Sequence, residues 1–102
     1  MAMFSISETL NGNLEEVKLA GRLDVKAAAE ADEAFTEIVA RGHDIVLDLA
    51  DLEYIASAGL RAFKRLHGAM RNNGKSLTVT NVQNDVMEIF EMTGFAAMLT
   101  FV

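Results

Sequence analysis

The residues best placed to do chemistry lie in one stretch, Tyr54-Ile55-Ala56-Ser57-Ala58-Gly59-Leu60-Arg61. A serine stands there between an apolar run and an amphipathic one, flanked by nothing larger than alanine. Its hydroxyl has three candidate uses: nucleophile, helix cap, or acceptor of a phosphoryl group. A nucleophile needs a strained elbow of the G-x-S-x-G kind and a positioned base. Ser57-Ala58-Gly59 is half of that elbow, but Ile55 occupies the first glycine position. The base is missing too. His67 lies ten residues further along the same predicted helix, about 15 Å of rise away. His43 precedes the strand whose far end leads to Ser57. Both histidines read as ordinary surface residues, and a small serine hydrolase is the weakest reading.

Metal chemistry is no better served. Asp48, Asp51 and Glu53 are close together, but no histidine or cysteine joins them at ligand spacing. They read as a solvated acidic edge. There is no Walker loop and no G-x-G-x-x-G, so no nucleotide site is marked and no cofactor is expected.

The cap and the switch remain. A serine capping a helix contributes roughly 1 kcal/mol. Ala56, Ala58 and Gly59 keep the surroundings low and leave the hydroxyl open to another protein. A phosphate there would meet unpaired N–H groups and the positive end of the helix dipole. Arg61, one turn on, is placed to pair with it. A partner docked over the same spot would face about −2 of added charge.

The elements around Ser57 follow from periodicity. Phe4-Ser5-Ile6-Ser7-Glu8 alternates as a half-buried strand, and Asn11-Gly12 is a hairpin signal. Val17, Leu19, Gly21 and Leu23 share one face of a second strand. Asp24 fits a helix N-cap. Ala28, Ala31, Phe35, Ile38 and Val39 then form the apolar stripe of a helix over 26–41, which Gly42 stops. Residues 44–49 read as a central strand. Ser57 caps a helix to about Arg71 that buries Leu60, Phe63, Leu66 and Met70. Residues 77–82 form a strand, 85–93 a short helix over Val86, Ile89 and Phe90, and 98–102 a last strand. Phe63 and Phe90 read as core, Met87 and Met92 as core fillers. The predicted order is β-β-α-β-α-β-α-β. That is an α/β fold: a mostly parallel sheet of four or five strands, an antiparallel opening hairpin, and three covering helices.

Composition narrows the function further. The chain has 102 residues, 51% hydrophobic, with no cysteine and no proline. That suits one domain with a modest core and excludes disulfides and thiolate metal sites. No apolar run is long enough to span a bilayer, so membrane insertion is not expected. The net charge of −6 argues against nucleic acid. Residues 57–72 depart from it: they hold Arg61, Lys64, Arg65 and Arg71 and no acid.

Taken in order, four stretches resemble STAS-domain proteins, and among them the bacterial anti-sigma factor antagonists. They are Gly21-Arg22-Leu23-Asp24, residues 45–52, Ser57-Ala58-Gly59-Leu60, and Phe90-Glu91-Met92-Thr93-Gly94-Phe95. The resemblance implies a cytoplasmic binding module rather than an enzyme. Its partner would be an anti-sigma factor that is also a serine kinase, and binding would release a sigma factor. The kinase would phosphorylate Ser57 and end the interaction; a PP2C-type phosphatase would restore it. Asp24, Ala56, Ala58, Gly59 and Arg61 would lie at the partner surface. The alternative within the family is a regulatory subunit of another assembly, such as a lipid-transport ABC complex, with Ser57 only a cap.

Three departures stand out. Ala56 replaces an aspartate that sporulation-type members carry before the phosphoserine. Ala58 replaces a second Ser or Thr common in the family. Residues 1–102 are read as a single STAS domain without the family's C-terminal helix. The groove which that helix covers would then be open, shared with a partner, or filled by a second copy as a homodimer.

Overall fold

The computed structural model describes residues 3–102. The chain opens with an antiparallel hairpin, β1 (Ser5–Asn11) and β2 (Leu14–Leu23). Asn11 pairs with Leu14, so the two-residue loop is Gly12-Asn13, one step later than the Asn-Gly signal places it. Gly12 has φ +66°, and Asn13 is not in the left-handed region, which is the pattern of a type II′ turn.

After β2 come α1 (Val25–Ala40), β3 (Asp44–Ile55), α2 (Ser57–Asn72), β4 (Leu77–Thr80) and α3 (Asn84–Thr93). A single-turn helix α4 (Phe95–Met98) and a short strand β5 (Thr100–Phe101) end the fold. The sheet order is β1-β2-β3-β4-β5, parallel throughout except for the hairpin. The expected α/β architecture stands, with one helix more than its three. The last strand, expected over 98–102, covers only Thr100–Phe101, because Met98 belongs to α4. Gly94, at φ +84°, turns the chain, and Phe95 and Met98 then pack one helical step apart against the core.

Buried residues of all the strands but the first and last join those of α1, α2 and α3 in one core. Phe63 lies at its centre, with ring centroids 6.1 Å from Phe35 and 6.0 Å from Phe90. Both Phe63 and Phe90 are fully buried, as expected. The alternate residues of β2, Lys18 and Arg22, are exposed, so the helices cover one face of the sheet and the other meets solvent. Met87 is half-buried against the core, but Met92 is 76% exposed and fills nothing.

β3 is twice as long as the apolar run that marks it. Its pairing with β2 slips twice, once between Asp48 and Asp51 and once between Leu52 and Tyr54, each time placing an extra residue on β3. Its buried residues are Ile45, Leu47, Leu49, Leu52 and Ile55. Their spacing changes from two to three where the slips occur. The bulges thus keep Leu52 and Ile55 on the core face while the strand bends.

Candidate functional site

At one end of the sheet, β2 and β3 both stop and both lead directly into helices. Leu23 and Ile55 are level in the parallel register, and the Ala56 N–H donates to the Leu23 carbonyl at 2.9 Å. That bond brings the N-termini of α1 and α2 side by side. Asp24 caps α1 as expected: its Oδ1 accepts from the Ala27 N–H at 2.9 Å.

α2 starts differently. Its cap position is Ala56, extended at φ −90° and ψ 171°, with no side chain able to accept a hydrogen bond. Ser57 is the first helical residue and is exposed. The expectation that Ser57 caps the helix is therefore corrected. The Ala56 N–H is held by the Leu23 carbonyl and the Ala56 carbonyl already accepts from the Leu60 N–H at 3.0 Å, so the helix begins one residue too early for Ser57 to cap it. The first-turn N–H groups of α2 have no side-chain acceptor, and the turn holds no acid.

The remaining candidates are placed plainly. Arg61 is exposed one turn along α2, on the face of Ser57. Ala56 and Ala58 are half-buried. Gly59 is buried against the sheet: a Cβ there would lie 2.8 Å from both Ile55 Cγ1 and Leu23 Cγ. It serves close helix–sheet packing and presents no surface of its own. Of the other basic residues of α2, Arg65 is paired with Asp32, while Lys64 and Arg71 are exposed.

The acidic edge is partly structural. Asp48 Oδ1 accepts from the Ala50 N–H at 3.0 Å and from Asn81 Nδ2 at 3.2 Å. Among the described residues no group of three or more His, Cys, Asp or Glu side chains could hold a metal ion. His67 is half-buried on α2, and His43 lies beyond the opposite end of β3 from Ser57. His43 is not an idle surface residue, however: its Nδ1 is 3.3 Å from Oε1 of the buried Glu15.

Sequence reasoning missed two features beside Ser57. Val25, just after the cap Asp24, is 73% exposed, because it falls off the 28-31-35-38 stripe of α1. The Arg22 guanidinium lies over the Tyr54 ring, 4.2 Å from its centroid. Only the parallel register of β2 on β3 brings those two together.

This geometry defines a small α/β domain with an exposed serine between two helix N-termini. The domain family described as "Mlab, STAS domain" matches residues 6–100. The chain belongs to the STAS domain family. An anti-sigma-B factor antagonist of Staphylococcus aureus is 31% identical over 96 residues, spanning 93% of this chain and 89% of the relative. Among solved structures, an anti-sigma factor antagonist from Mycobacterium paratuberculosis superposes with a TM-score of 0.88 at 17% identity, covering 97% of this chain and 85% of that one. The phosphorylated form of the Bacillus cell fate determinant SpoIIAA superposes with a TM-score of 0.74 at 14% identity, covering 98% and 91%. Among the described residues no helix is long and apolar enough to cross a membrane.

Proposed function

We propose that this protein is an anti-sigma factor antagonist that acts in the cytoplasm by binding, with no catalytic role of its own, and that phosphorylation of Ser57 switches it off. The observation that carries the switch is the exposed, uncapped position of Ser57 at the start of α2. The hydroxyl makes no capping bond, so a structural duty does not account for it. A phosphate placed there would meet the free first-turn N–H groups and the positive end of a helix of sixteen residues. The domain therefore tolerates the modification. A partner seated over Asp24, Val25 and Ser57 does not, because it must accommodate about −2 of new charge. Each tenfold loss of affinity needs only ~1.4 kcal/mol, so a modest conflict suffices.

The curated relatives named anti-sigma-B factor antagonists support an anti-sigma factor as the partner; in this proposal that partner is also the serine kinase. A PP2C-type phosphatase would reverse the modification. Ala56 and Ala58, half-buried, frame the serine; Gly59 acts from beneath by letting α2 sit close to the sheet. Arg61 supplies a cation for the phosphate.

The test is affinity capture from a lysate of the source organism with wild-type and Ser57→Asp baits. Wild-type is expected to retain a serine kinase of the histidine-kinase fold, and Ser57→Asp to lose it by at least tenfold. Equal retention of that kinase by both baits would remove the switch. Retention of ABC-transporter subunits in its place would move the chain to the other branch of the family.

A further inference from the structure

We infer that Arg22 is a movable arm: it rests on the ring of Tyr54 and leaves it to bind a phosphate on Ser57. The inference rests on Ser57 being phosphorylated and adds how that state is read. Arg22 is exposed and level with Tyr54 in the β2–β3 register. Among the described residues it makes no ion pair, whereas Arg41 and Arg65 each hold a carboxylate. All its donors are thus available, and only the aromatic ring positions it. At an exposed site such a stack is weak. A guanidinium–phosphate pair is charge-assisted, bidentate and stronger. The phosphate therefore wins the competition if the arm can reach it.

The register sets the span the arm must cover. Leu23 is level with Ile55, its carbonyl holds the Ala56 N–H at 2.9 Å, and Ser57 is the next residue. Ser57 is three residues past the level of Arg22, about 10 Å along a strand and less once the chain turns into α2. Arg22 starts on the solvent face of the sheet and α2 lies on the other, so the arm has to swing past the end of β2; an arginine and a phosphoserine side chain extended towards each other span a gap of that size. Arg22 and Asp24 also line one cleft of about 380 Å³ with Phe4, Lys26 and Glu30. The cleft also holds the acids Asp24 and Glu30, but among the described residues neither is ion-paired with Arg22. When the arm moves, the Tyr54 ring is uncovered. Phosphorylation then changes two things on the partner surface: the charge at Ser57 and the covering of Tyr54.

The chain carries its own reporter, because Tyr54 is its one tyrosine and it has no tryptophan. The full chain is made with phosphoserine genetically encoded at position 57, with Arg22 intact and with Arg22→Gln. Tyr54 emission is expected to differ between the phosphorylated and unphosphorylated proteins, and the difference to vanish in Arg22→Gln. The second ionisation of the phosphate, followed by phosphorus NMR, is expected to lie lower with Arg22 than with Gln. Arg61→Gln is expected to move the phosphate titration while leaving the Tyr54 response in place. A Tyr54 response that survives Arg22→Gln, or none on phosphorylation, overturns the arm. Encoding the phosphate keeps this outcome separate from the kinase. A Tyr54 response without any captured kinase keeps the arm and removes the physiological switch; a captured kinase without a Tyr54 response does the opposite.

Discussion

The two ends of the sheet treat charge in opposite ways. At the end where β2 begins, Glu15 is buried, and its Oε1 is 3.3 Å from both Arg41 Nη1 and His43 Nδ1. Arg41 also holds Glu8 at 2.5 Å. Hydrogen bonds that Arg41 donates to Glu8 first and Glu15 second raise its guanidinium further above its already high range. Each charge there is answered by another, and the group ties β1, β2, the end of α1 and the start of β3. At the end where β2 and β3 stop, among the described residues the hydroxyl of Ser57 caps nothing, the first N–H groups of α2 have no side-chain partner, and Arg22 has only a ring. One end is closed on itself and stabilises the fold. The other leaves these donors and cations without side-chain acceptors among the described residues.

That contrast can be broken most sharply at the closed end. The double variant Arg41→Ala, His43→Ala leaves Glu15 buried without a cation and is expected to cost about 2–3 kcal/mol. The value is set below that of a fully buried pair because the Arg41 side chain is 42% exposed. Urea unfolding should show it as a lower midpoint at unchanged slope, with partner capture intact in the folded protein. A loss under about 0.5 kcal/mol, the level of an ordinary surface change, would mean that the cluster is not what holds that end. At the open end, Gly59→Ala drives a methyl group into Leu23 and Ile55 and is expected to cost about 1–2 kcal/mol. Unlike the first variant, it should also weaken partner capture, because it pushes the start of α2 outward. The smallest effects separate the two helix starts. Asp24→Ala should cost about 1 kcal/mol, the worth of a cap. Ser57→Ala should stay within about 0.5 kcal/mol. Equal losses at the two positions in the same unfolding experiment would restore Ser57 as a cap.

Much of the fold is legible in the order of residues alone. The apolar stripes of α1 and α2 and the glycine stops define those helices to within a residue or two, because helix burial repeats with a strong period. Asp24 is readable as a cap for the same local reason. What is not legible is non-local. The bulges of β3 turn a two-residue repeat into a three-residue one, so Leu52 and Ile55 do not look like strand. Glu15 looks like one more surface acid until the fold brings Arg41 and His43 to it across 26 and 28 residues of chain. Ser57 stands where a cap is expected, but Ala56, tied to Leu23 by its N–H and to Leu60 by its carbonyl, takes the cap position and leaves Ser57 inside the first turn.

The bare start of α2 carries a consequence for how long the protein lasts. Unmodified, the helix has an alanine at its cap position and goes without the contribution a capping side chain makes. A phosphate on Ser57 would answer the same N–H groups and be worth about 0.3–1 kcal/mol or more to the folded state. On the phosphorylation reading, the silenced molecule is then the sturdier one. Small gains in stability slow proteolytic turnover in cells, so the idle pool outlives the working pool. The protein would be stored in its inactive form and worn out in its active one, with the phosphatase, rather than fresh synthesis, setting how soon a response begins.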